Sequence, residues 1–244
     1  LVRNLGNLNV TPFGLALEGA HRRRAAPHPV MVKEEHPGRV TRDDRLDGFW
    51  LQASTQWDGL SHFADPTHGF YNHAPLSSIV HGKDSRNGID KALGHGIAGR
   101  CVLADLARHF ARTGDDWGPM GGRRVSPEDL AGCLGAQGVA LRPGDILLVR
   151  TGWLEAFRAA PDAAARHLLL QGVGGARDYA GLDGNEGMWR FLWDAGIAAV
   201  AADNPTVEAW PIFPWKPALH LAIARLGLCL GEFFDLEALA EDSA

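Results

Sequence analysis

The chain has 244 residues, 45% hydrophobic and 22% charged, a composition that excludes bulk disorder and can bury a core without disulfides or a structural metal. A net charge of −5, with both signs mixed along the chain, excludes the basic face that nucleic acid requires. Three scattered cysteines exclude a disulfide framework or zinc finger, and no apolar run nears the roughly 20 residues of a membrane span, so a cytoplasmic protein is expected.

Residues 1–45 read as an irregular N-terminal segment, with His21-Arg22-Arg23-Arg24 in an exposed, turn-rich stretch. No repeat or low-complexity linker divides the remainder, so residues 46–244 are expected to form one domain. Cys101 to Phe110 carries both a strand pattern at its start and a helical spacing in Leu103, Leu106, Ala107 and Phe110. Ser126-Pro127-Glu128-Asp129 is a helix start, with Ser as N-cap, Pro at the first helical position and acids in the first turn. Gly138 stops that helix. A turn at Arg142-Pro143-Gly144-Asp145 leads into the strand run Ile146-Leu147-Leu148-Val149. Met188, Phe191, Leu192 and Ala195 predict an amphipathic helix ended by Gly196, and Ile197 to Ala202 predicts a buried strand. Leu219 to Leu226 predicts a helix, Gly227 breaks it, and Leu228-Cys229-Leu230 predicts another buried strand. Interleaved strands and helices predict an α/β fold with a central mixed sheet flanked by helices.

The chemistry concentrates between Gln56 and His68. Asp58 and His62 stand four apart and His68 six further on, a carboxylate and imidazoles of the kind that ligate Zn²⁺ or Mn²⁺. The competing reading is a polar loop whose Asp and His cap turns. Downstream, His220 opens a predicted helix and Glu232 follows a predicted strand. Alone, that pair also reads as a helix-end histidine and a surface acid. No G-x-S-x-G elbow is present, and Cys229 lies in an apolar run, which argues against a serine or cysteine nucleophile.

Taken together, Asp58, His62, His68, His220 and Glu232 make the chain resemble the cyclase family of metal-dependent hydrolases, which includes bacterial kynurenine formamidases and isatin hydrolases. The family pattern is H-x-G-T-H-x-D-x-P-x-H, then a His and a Glu with eleven residues between them, as His220 and Glu232 have here. Asp58 stands at the leading His, and His62, Pro66 and His68 match their counterparts. The run from Pro143 to Trp153 and the segment Ala202-Asp203-Asn204-Pro205 are also similar to the family. Gln56-Trp57-Asp58-Gly59-Leu60-Ser61-His62 is similar to a Q-W-D-G-x-x-H branch with a following Tyr-Asn pair, here Tyr71-Asn72.

The resemblance implies one divalent ion, Zn²⁺ or Mn²⁺, held by Asp58, His62, His220 and Glu232. The bridging Asp of the formamidase branch falls on Ala64, which cannot ligate, so one ion rather than two is expected. His68, or His220 if it is not a ligand, is expected to carry protons as the catalytic histidine. Gln56, Trp57 and Tyr71 are expected to bind substrate, with Gln56 alternatively holding a ligand in place. The 8 tryptophans are expected mainly in packing, with Trp57 the pocket residue for a flat aromatic substrate. The implied activity is hydrolysis of a small-molecule amide (an aryl formamide or cyclic amide) or lactone. A homodimer or homotetramer is implied, with no nucleic-acid or membrane partner. The alternative is an inactive small-molecule binding protein of the same fold, suggested by Ala64.

Overall fold

The computed structural model describes residues 30–36, 39–44, 54–80, 84–92, 94–170, 178–212 and 218–243. Within the segment expected to be irregular, β1 (Val30–His36) and β2 (Arg39–Asp44) form an antiparallel pair. Val30, Val32, Val40 and Thr41 supply β-branched residues there, a signal masked by the surrounding charges and prolines. Residues 1–29, with the Arg22–Arg24 run, lie outside the described residues.

The centre is a five-stranded mixed sheet. Its strands are β3 (Gln56–Asp58), β4 (Cys101–Asp105), β6 (Ile146–Arg150), β8 (Ala199–Ala202) and β9 (Cys229–Glu232), in the order β3-β9-β8-β6-β4. The last four run parallel and β3 pairs antiparallel to β9 at one edge. A second small sheet joins β5 (Arg124–Val125) and β7 (Gly181–Leu182). The expected central mixed sheet with flanking helices is therefore present.

The parallel strands are covered on both faces, which is why their sequences are nearly continuous apolar runs. Val102, Leu147, Val149, Val200 and Leu230 point into the main core. Leu103, Ile146, Leu148, Ala199 and Ala201 point to the opposite face. The main core is closed by α2 (Leu106–Thr113), α3 (Pro127–Ala136), α6 (Glu186–Asp194) and α7 (Leu221–Leu226). The other face is closed by Phe234, Leu236 and α8 (Glu237–Asp242).

Local chemistry sets the helix boundaries. The two patterns read at Cys101 to Phe110 are consecutive: β4 ends at Asp105, whose side chain then caps α2 by accepting the Arg108 N–H. Ser126 and Asp129 form a capping box on α3. The Asn185 side chain caps α6. Gly227, at φ 72, ends α7 in the left-handed region. Among the described residues no helix is long and apolar enough to cross a membrane.

Candidate metal centre

The centre is built on the edge pair β3–β9. Their antiparallel register sets Gln56 opposite Glu232 and Asp58 opposite Leu230. Because successive strand residues face opposite sides, Gln56, Asp58 and Glu232 share the face toward α7. His220 is the N-cap of α7 and meets them there. Its Nε2 lies 3.6 Å from Asp58 Oδ2 and 3.4 Å from Glu232 Oε1. His62 Nε2 lies 3.7 Å from Asp58 Oδ1, and its ring centroid is 5.8 Å from that of His220. One ligand atom each from Asp58, His62 and His220 lies within 4.8 Å of the others.

A side-chain amide and a carboxylate hold this arrangement in place. Gln56 Nε2 donates to Glu232 Oε2 at 2.5 Å, leaving Oε1 beside His220. His220 Nδ1 is 2.6 Å from Glu208 Oε1, and the Leu219 N–H donates to Glu208 Oε2. An ionised carboxylate only accepts, so the shared proton sits on Nδ1, and Nε2 is the ring atom that faces Asp58 and Glu232. Carboxylate oxygens of Asp58 and Glu232 thus converge on one ring atom in a buried site, where Asp58 Oδ2, 3.6 Å away, makes no hydrogen bond. Carboxylates gathered in this way are costly unless a positive charge, a proton on the ring or a cation, lies among them.

The electrostatics point the same way. Burial works against a charged His220 ring, but the surrounding carboxylates of Asp58, Glu208 and Glu232 outweigh it and hold its pKa well above the usual imidazole value. The same carboxylates would attract a divalent cation placed among them. His62 is held below its usual value chiefly by partial burial, with His220 adding to the effect and Asp58 opposing it. Its neutral ring can ligate. Carboxylate oxygen and imidazole nitrogen form a donor set suited to Zn²⁺ or Mn²⁺, so the residues present fit a divalent ion.

The sequence model of the Cyclase family matches residues 24–209, more than half of the chain. The chain belongs to the Cyclase family. Among solved structures, a novel cyclase is 29% identical over 89% of this chain and 70% of its own, with a TM-score of 0.71. Isatin hydrolase A from Ralstonia solanacearum shares the fold at 13% identity, covering 90% of this chain and 73% of its own, with a TM-score of 0.56. No curated protein matches the chain.

In this Cyclase chain the structure brings Asp58, His62, His220 and Glu232 together, with Gln56 behind Glu232. Other expected site residues are placed elsewhere. Trp57 alternates to the far side of β3, opposite Gly231, where it packs edge-on against Phe234 at 5.0 Å. The structure thus corrects its expected place in the pocket, because the strand period turns it away from Asp58. His68 is exposed and packs edge-on against His73 at 5.8 Å, apart from the ligand cluster. His68 and Tyr71 line a cavity of 350 Å³ with Phe70, Ala224 and Arg225. Asp65 is turned from the cluster into its own loop: it accepts the Thr67 and His68 N–H groups and pairs with Arg225 at 2.6 Å. A larger cavity of 570 Å³ at the β4 edge, lined by Arg100, Arg108 and Gln137, includes none of the cluster residues.

Of the other tryptophans, Trp153 is buried against Phe157, Tyr179 and Phe233, and Trp210 stacks on Tyr179. Trp215 lies outside the described residues. Glu208 escaped the sequence reading. The available signal was an acid flanked by Val207 and Ala209 shortly after Asp203-Asn204-Pro205, a place where a buried charge needs a partner.

Proposed function

We propose that this protein is a metal-dependent hydrolase that cleaves a C–N amide bond, in an aryl formamide or a cyclic amide, or a lactone. The observation that carries the reading is the convergence of Asp58, His62 and His220, with Glu232 Oε1 at 3.4 Å from His220 Nε2. The name isatin hydrolase on a structure of this fold supports hydrolysis as the chemistry. Zn²⁺ or Mn²⁺ held by these residues would polarise a substrate carbonyl and make a nucleophilic water available near neutral pH.

The chain's own residues prepare the site. Gln56 fixes Glu232 from behind, so Oε1 stays at the cluster. Asp58 sits buried on β3, while His62 stands on the open side. Phe63, 37% exposed, holds its ring centroid 5.5 Å from that of His220 and offers an apolar face beside the polar cluster. That platform supports a flat, ring-bearing substrate.

The test is an assay of metal-loaded and chelated protein side by side on an aryl formamide, a cyclic amide and a lactone. Turnover of one class that vanishes with chelator is expected. Metal-loaded protein that turns over none of them, yet binds one tightly, would replace the hydrolase with the small-molecule binding protein. Asp58→Ala and Glu232→Ala should each sharply lower the metal content of purified protein, read by elemental analysis. We further propose a cytoplasmic homodimer or homotetramer, to be read by light scattering and cell fractionation.

A further inference from the structure

We propose that Glu208 is the positioning residue of this centre, its carboxylate fixing the His220 ring as the tautomer whose Nε2 lone pair faces Asp58 and Glu232. The inference rests on reading the cluster as a metal centre. Glu208 is 1% exposed, and its Oε1 accepts the Nδ1 proton of His220 at 2.6 Å. Its Oε2 accepts the Leu219 N–H, and the His220 N–H lies 3.4 Å from Oε1. One carboxylate therefore holds both the ring and the backbone of His220. A neutral imidazole carries a single N–H, so placing it on Nδ1 leaves Nε2 as the donor atom.

The backbone is arranged to aim this side chain. The Glu208 carbonyl accepts the Thr206 hydroxyl at 2.7 Å, and the Asn204 side-chain amide lies 3.4 Å away. Asn204 also donates to the Ala180 carbonyl, and Tyr179 Oη meets Thr206 Oγ1 at 3.1 Å. Just before it, Val207 is fully buried with φ at 62°, a region that a β-branched residue occupies only when its surroundings compel it. Such strain is kept where the geometry of the next side chain matters. Gly181 lets the backbone of Glu208 approach closely, since a Cβ there would fall within 3.0 Å of its carbonyl group.

A merely structural role, anchoring the start of α7, predicts different behaviour from a positioning role. The discriminating experiment measures the Zn²⁺ affinity of wild type and Glu208→Gln by competition with a chromophoric chelator, with circular dichroism confirming the fold. A loss of about 10–100-fold in affinity is expected. A folded variant whose Kd stays within about twofold of wild type would overturn the proposal, and a drop in the unfolding midpoint of the metal-free variant with unchanged Kd would assign the structural role instead. Should the variant fail to fold, nitrogen-15 NMR of the zinc-loaded wild type decides, with the His220 signals assigned by their absence in His220→Gln. Protonated Nδ1 and a shifted Nε2 are expected, and the opposite tautomer refutes the assignment. Weakened zinc binding in a protein that hydrolyses nothing would leave Glu208 in place and remove the hydrolase. Unchanged binding in an active hydrolase would do the reverse. Wild type that takes up no Zn²⁺ removes both.

Discussion

The two halves of the candidate centre are built differently. Gln56, Asp58, Glu208, His220 and Glu232 are all buried, and their geometry follows from strand register and from backbone locked between β8 and α7. His62 and Phe63 are exposed and stand on the loop that follows β3. That loop is held by Asp65, which gathers two backbone N–H groups and Arg225. The buried half makes the grip on a cation independent of side-chain freedom. The exposed half leaves the open side to a loop, where changes of sequence can alter what enters without disturbing the grip.

The largest effect should separate the halves directly. His220→Ala is expected to weaken Zn²⁺ binding by more than about 100-fold and His62→Ala by about 10-fold, since only the first removes a donor fixed on both ring nitrogens. Equal losses, read by chelator competition, would erase the distinction. Next comes Gly181→Ala, which drives a methyl into the backbone of Glu208. It should cost about 1–3 kcal/mol in chemical denaturation and lower metal affinity as well.

Asp203 sharpens the comparison through pH. Its fully buried carboxylate accepts the Thr151 N–H and hydroxyl and the Gly152 N–H. Burial pushes its pKa up to about 6 against those three bonds. A raised folded value means that the native state holds the proton more tightly than the unfolded chain. The stabilisation from that proton is full below about pH 4 and is lost as pH rises through about 6. Asp203→Asn should therefore flatten the pH dependence of the unfolding midpoint between these values. It should also cost about 1–3 kcal/mol, because an amide cannot accept from all three donors.

The smallest effect belongs to the loop. Burial tends to raise the Asp65 pKa, but Arg225 and the two N–H bonds bring it down to about 2. Its contribution is present above the ordinary carboxylate value and is lost only as pH falls through about 2. Asp65→Asn should speed limited proteolysis after β3 severalfold at pH 7 and leave the Zn²⁺ Kd unchanged. A large loss of affinity would show that the exposed half carries the grip after all.

Much of the sheet was legible because parallel strands covered on both faces demand apolar runs, as in Ile146 to Val149 and Ile197 to Ala202. Helix starts at Ser126 and ends at Gly227 were legible because capping is local chemistry. The helix α4 (Trp153–Ala159) was not read, since its start lacks a side-chain cap and its N-cap is a left-handed Gly152. The ligand residues were legible through their resemblance to a known pattern rather than through spacing. Trp57 was misplaced because a motif shows which residues are neighbours in sequence, whereas the pleat decides which face each one takes.

By itself, the sequence determined the secondary elements with local causes and the types of residue able to hold a divalent ion. Tertiary structure alone decided which of them meet. The β3–β9 register placed Gln56 against Glu232, and the fold carried Glu208 to the ring of His220 across a chain separation that no local pattern encodes. Hydrogen bonding acts over a few ångströms of space, whatever the distance along the chain, so the partners of a buried charge become visible only once the chain is folded.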